Sequence, residues 1–160
     1  ADSNVVDVQA GLEKGMNFLL GSLAGADLVA HMGIAGADQG ASLLQLVVDN
    51  EMIAFVKRLL RGFQVDDATL AVDVIKEVGH EGQHLAHPHT ASNFRKEMWI
   101  PKMWERRSWD NWLGDGGKSM ADRAAERLQE ILETHQPEPI DEALAREIDG
   151  IVESARRNLL

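Results

Sequence analysis

The first twenty-five residues space their apolar positions three to four apart. Val8, Leu12, Met16, Leu19, Leu20 and Leu23 lie on one helical face behind Asp7, which can cap the first turn. The helix expected here covers 8–24. The pattern then changes. Ala26-Asp27-Leu28-Val29-Ala30-His31-Met32 is short, mostly apolar and followed by Gly33, which reads as a buried strand centred on 28–32. A loop with Gly33, Gly36 and Gly40 follows, and Ser42 caps a second helix over 43–61. Its main stripe is Leu43, Leu46, Val47, Ile53, Val56, Leu59 and Leu60. Leu44, Val48, Met52 and Phe55 make it apolar on further faces.

A single strand cannot satisfy its own backbone, because each N–H and C=O needs a ladder partner. No later segment reads as a second strand. The chain also opens on Ala1-Asp2-Ser3-Asn4, with no initiator methionine. Both points suggest the C-terminal piece of a larger α/β protein. Residues 1–62 read as a closing helix–strand–helix unit of a barrel or doubly wound sheet, and 63–160 as an all-helical extension. Helices are expected over 68–78, 120–135 and 141–158, with a short one from Thr90 through Phe94.

Composition narrows the function classes. A length of 160 residues, with 44% hydrophobic and 26% charged residues, is that of one globular domain with a core. Cysteine is absent, so neither a disulfide framework nor a thiolate metal site is available. The apolar runs are too short to span a bilayer, and no signal segment opens the chain. A net charge of −10 argues against nucleic acid, whose affinity comes from neutralised phosphates.

Candidate chemistry gathers at two loops. His31 closes the expected strand just before the glycines, at the edge where parallel α/β folds bind ligands. A core histidine satisfied by a backbone group is the alternative. The polar opening segment would share that crevice, so Asp2, Asp7, Gln9 and Glu13 are candidates to line it, together with Gly33. Asp7 can instead act only as a cap, and Glu13 as an acid favourable to the helix dipole. Gln9 has no such duty.

Four of the six histidines fall at His80, His84, His87 and His89. A metal site there, with metal-dependent hydrolysis, is conceivable from imidazole chemistry. The spacing fits no single helix face, and Pro88 constrains the chain between two of them. No metal is therefore assigned, and the imidazoles are expected to bond backbone groups. Trp99, Trp104, Trp109 and Trp112 interleave with Lys102, Arg106 and Arg107, a density suited to an interface with the remainder of the protein or a second subunit. This segment also allows a different class of function, a non-catalytic helical module that binds a protein partner.

Several runs resemble the trimethylamine methyltransferase family. They are Asp2-Ser3-Asn4 with Asp7-Val8-Gln9-Ala10-Gly11-Leu12-Glu13-Lys14, then Leu23-Ala24-Gly25-Ala26, then Arg58-Leu59-Leu60-Arg61-Gly62. Leu70-Ala71-Val72-Asp73-Val74-Ile75, Glu77-Val78-Gly79, His87-Pro88-His89-Thr90, Phe94-Arg95, Trp99 to Pro101, Arg106-Arg107-Ser108 and Gly116-Gly117-Lys118 continue it in order. The likeness covers nearly the whole chain. It departs at Gly82-Gln83-His84-Leu85, where the family tends to have Gly-His-aromatic-Leu. That departure weakens any catalytic role for the loop histidines.

The resemblance implies a mainly α C-terminal fragment of a (β/α)8 barrel protein, its last helix–strand–helix unit followed by a helical extension. The implied activity is methyl transfer from a methylated or quaternary amine, such as trimethylamine or glycine betaine, to the corrinoid (cobalamin) of a separate partner protein. Such an enzyme would be cytoplasmic. The fragment alone would be inactive and would bind no cofactor tightly, with pyrrolysine, if any, lying outside it. On the position of the expected strand end, and not on the resemblance, His31 would be catalytic, with Gln9, Asp7, Glu13 and Gly33 at the substrate. The extra apolar faces of the second helix, with the tryptophan segment, suggest a homo-oligomer.

Overall fold

The computed structural model describes residues 1–159 and is mainly helical. Asp7 starts α1 (Val8–Leu23): its carboxylate accepts the Ala10 N–H at 2.9 Å, while the Ser3 hydroxyl donates to the same oxygen at 2.8 Å. Gly25, at φ +92°, ends the helix in a left-handed turn. Ser42 starts α2 (Leu43–Leu60) by accepting from the Gln45 N–H, and Lys57 and Arg58 place positive charge in its last turn.

Residues 26–32 do not form the strand expected of them. They are irregular, and Leu28 is 82% exposed. A strand needs a neighbour, and among the described residues none lies beside this segment. The strand material sits instead in the glycine loop, where β1 (Ile34–Ala35) pairs antiparallel with β2 (Gly40–Ala41), Ile34 opposite Ala41 and Ala35 opposite Gly40. Gly36, Ala37 and Asp38 turn the hairpin with φ of +61°, +50° and +66°.

The helix expected over 68–78 is broken in two. A capping box between Asp66 and Thr69 starts α3 (Asp67–Leu70), Ala71 goes left-handed at φ +50°, and α4 (Val72–Val78) resumes. Next come α5 (Pro88–Glu97), with proline in its first turn, and α6 (Trp109–Gly114), capped by Ser108. The last helices are α7 (Met120–Thr134) and α8 (Glu142–Leu159).

Two compact units result, 1–129 and 130–159. In the first, Val48 on α2, Met103 and Ala124 form the core, with Val6, Leu44, Val47, Met52 and Met120 against them. The faces of α1 and α2 differ from expectation. On α1 the buried residues are Ala10, Lys14 and Phe18, while Val8 and Leu12 are 88% and 67% exposed. On α2 the core takes Leu44, Val48 and Met52 from the further faces together with Val47 of the main stripe, whose Val56 is also buried, while Leu43, Leu46, Leu59 and Leu60 of that stripe are exposed. In the second unit Asp141 accepts the Ala143 and Leu144 N–H groups at the start of α8, whose Leu144, Ile148 and Ile151 remain exposed.

The segment after α2 is fastened to it. Arg58 and Arg61 donate to backbone carbonyls at the end of α5, those of Glu97 and Lys96. Phe55, Trp99 and Trp104 pack as a mutual triad with ring centres 4.9 to 5.0 Å apart, and the Arg106 guanidinium lies 5.5 Å from the Trp99 ring. Two of the tryptophans expected at an outer interface are thus turned onto α2. Trp112 pairs with Trp109 at 4.8 Å and donates its indole N–H to the Lys118 carbonyl, which leaves Trp109 as the exposed member at 69%.

Candidate functional site

The opening segment docks on the hairpin turn. The Gly36 N–H donates to the Ser3 carbonyl at 2.9 Å and the Ala37 N–H to the Ala1 carbonyl at 3.1 Å. The polar N-terminal loop and the glycine loop are therefore joined by backbone hydrogen bonds.

Glu13 and Lys14, consecutive on α1, fasten the two loops. Glu13 accepts the Asp2 N–H at 2.6 Å on one oxygen and the Gln9 side-chain amide at 2.7 Å on the other. These bonds, the Gln9 amide first, hold the Glu13 carboxyl below its ordinary range and keep it ionised. Lys14 turns inward to the second loop. Its ammonium meets Asp49 Oδ2 at 2.7 Å and the His31 carbonyl at 3.3 Å, and it lies 5.9 Å from the Phe18 ring centre.

Asp49, on α2, is fully buried and completes the junction. Its Oδ2 also accepts the Gly33 N–H at 2.7 Å, and its Oδ1 accepts the Gln45 amide at 2.6 Å. A buried carboxylate needs this much compensation, a cation together with several donors. His31 itself adopts φ +63° and its side chain is exposed.

The candidates therefore separate. Asp2, Gln9 and Glu13 come together at the start of α1. His31 lies on the loop that Lys14 fastens, held by its backbone carbonyl and outside the hydrogen bonds of that cluster. Asp7 is engaged as the cap, and its carboxyl is held low chiefly by the Ala10 N–H and then by the Ser3 hydroxyl. Gly33 is buried at φ +76°, where an added Cβ would lie 3.1 Å from Leu46 Cβ and 3.3 Å from the Ser42 carbonyl. Its N–H is taken by Asp49. The sequence reading missed Lys14, Gln45 and Asp49, although Gln45 and Asp49 stand four apart on α2, the spacing of same-face partners.

Two of the four loop histidines, His87 and His89, serve backbone structure. His87 Nδ1 accepts the His89 N–H at 3.1 Å, and His89 Nε2 lies 2.9 Å from the Ala68 carbonyl. Among the described residues no three histidines or carboxylates converge as a metal cage would require.

The family model described as trimethylamine methyltransferase matches residues 1–159. Among curated proteins, the trimethylamine methyltransferase MttB of Desulfitobacterium hafniense is 38% identical over 152 residues, which covers 95% of this chain and 30% of that protein. Trimethylamine methyltransferase MttB2 of Methanosarcina mazei is 36% identical, covering 98% of the chain and 32% of that protein. A glycine betaine methyltransferase, also of Desulfitobacterium hafniense, is 29% identical over 94% of the chain and 32% of its own length. The chain spans about a third of the length of the curated relatives it matches.

Proposed function

The chain belongs to the trimethylamine methyltransferase family, and from that premise we propose that it is the C-terminal part of an enzyme that demethylates a small methylated amine. The substrate is of the trimethylamine or glycine betaine type, and the acceptor is the corrinoid of a separate protein. In this reading the chain is the end of a (β/α)8 barrel followed by a helical extension, and 1–62 holds the part nearest the amine.

Transfer from a quaternary ammonium breaks a carbon–nitrogen bond and releases a neutral amine, so no general acid is required at nitrogen. The corrinoid on its own protein supplies the methyl acceptor. With such a substrate, what remains for this chain is binding and orientation, whereas a tertiary amine must carry a proton on nitrogen to leave as a neutral amine. Glu13, held ionised, suits the cationic head of the substrate. Gln9 and the His31 imidazole suit an anionic group such as the carboxylate of a betaine. Asp7 and Gly33 shape the rim through their backbone duties. The observation that supports this reading is the docking of the opening segment on the hairpin turn, which ties the loop that carries Asp2 to the glycine loop that follows His31.

Mixing the full-length protein with its corrinoid partner and a panel of tertiary and quaternary methylated amines tests it. Demethylation of at least one is expected. Inertness towards the whole panel would overturn the assignment.

A further inference from the structure

Lys14 and Asp49 do more than join two helices. Replacing a buried ion pair by apolar side chains of similar volume is often neutral or stabilising, so packing α1 on α2 does not require one. The pair instead holds two backbone groups one residue apart, on either side of Met32. Lys14 binds the His31 carbonyl, and Asp49 binds the Gly33 N–H. Both flanking residues are left-handed, His31 at φ +63° and Gly33 at +76°. For glycine that conformation is free, but for histidine it crowds Cβ and persists only where neighbours over-determine it.

The geometry points to Lys14 and Asp49 as positioning residues that set the direction in which the His31 side chain leaves the chain. This rests on the reading of His31 as a substrate-contacting residue. Gln45 extends the device by occupying the other Asp49 oxygen, which fixes the rotation of the carboxylate. Without the ammonium on its carbonyl, His31 relaxes towards right-handed or extended backbone and its imidazole swings off the rim.

The test uses the full-length protein in which this chain occurs. The double variant Lys14→Met/Asp49→Asn buries no charge and keeps an acceptor for the Gly33 N–H, but removes the ammonium from the His31 carbonyl and leaves there the Ile34 N–H at 3.4 Å. In histidine-labelled protein the His31 ring signal, assigned with His31→Gln, is expected to move or split while those of His87 and His89 stay in place. An unmoved, single His31 signal in the folded variant overturns the proposal. If the double variant does not fold, Lys14→Met alone, which removes the same ammonium and leaves Asp49 on the Gly33 N–H and the Gln45 amide, is read in the same way.

Kinetics give a second readout. In the wild-type background the double variant is expected to lower kcat for methyl transfer by about tenfold or more, the scale of misplacing an orienting group. In a His31→Ala background it should have no further effect, and additive losses would count against positioning. Absence of methyl transfer from every amine, or full activity of His31→Ala, sinks the functional reading alone. The ring signal then still decides whether the pair positions His31.

Discussion

Glu51 and Met103, 52 positions apart in sequence, meet through one carboxylate oxygen: the buried Met103 N–H donates to Glu51 Oε1 at 3.1 Å, and the Lys102 N–H joins it at 2.6 Å. A single side chain of α2 therefore terminates two backbone groups of the segment that carries the tryptophan triad. Arg123, on α7, takes the Met103 carbonyl at 2.6 Å and closes the same junction.

Glu51→Ala leaves both N–H groups without that partner, the Met103 one in a buried bond and the Lys102 one half-buried. The expected loss is about 2 kcal/mol or more, the cost of unsatisfied buried donors. Glu51→Gln keeps an oxygen acceptor and should lose roughly half as much. Urea unfolding followed by tryptophan fluorescence measures both, and equal losses would show that the oxygen is not what matters.

Asp49→Ala strands the Lys14 ammonium, the Gly33 N–H and the Gln45 amide together. Breaking one side of a buried pair costs about 3–5 kcal/mol, whereas removing both charges is far less damaging. The double variant Lys14→Met/Asp49→Asn should therefore be more stable than Asp49→Ala alone. Thermal unfolding of the two, side by side, checks the order.

Acid stability should depend on Glu105. The Arg107 side chain, with the Arg107 and Arg106 N–H groups, lowers its carboxyl from an ordinary 4.5 to about 2. A depressed carboxylate pKa stabilises the fold above the unfolded value, and the contribution disappears as pH falls through the folded one. The window is thus from 4.5 down to about 2. In Glu105→Gln the thermal midpoint should fall less steeply across that window than in the wild type, as read by circular dichroism. Parallel curves would remove Glu105 from the account.

The exposed stripe of α1 predicts self-association. Val8, Leu12, Met16, Leu20 and Leu23 lie on the outside of the first unit, and contiguous apolar surface of this kind seeks cover. At tens of micromolar the 160-residue chain should sediment as a dimer or larger. Leu12→Glu/Leu20→Glu should return it to a monomer, and a wild-type monomer would refute the association.

Helix positions were legible in the sequence because capping and periodicity are local. Asp7 and Ser42 cap the helices expected of them, and α7 and α8 end within one residue of their expected limits. Ala71 was not legible: alanine favours helix, and only its neighbours turn it left-handed. Nor were the buried faces, since periodicity marks an apolar side without saying what will cover it. On α1 the small Ala10, the long-stemmed Lys14 and Phe18 face inward because Asp49 offers Lys14 a partner there. Of the site, the polar character of the opening loop and the glycine content of the second were readable. Its fastening was not, because Lys14 and Asp49 are 35 positions apart.

The adjacency of Glu13 and Lys14 also governs where the chain tolerates a change of length. Each residue advances an α-helix by about 100°. One residue inserted or deleted in α1 between Gln9 and Glu13 would turn the Gln9 amide away from the carboxylate while Lys14 stayed on Asp49. Only one of the two loops could then keep its fastening. Between Gly62 and Asp66, where the described backbone forms no helix or strand, a residue can be added without rotating either anchor. Natural length variation among relatives should accordingly avoid the first turns of α1 and gather in the turn after α2.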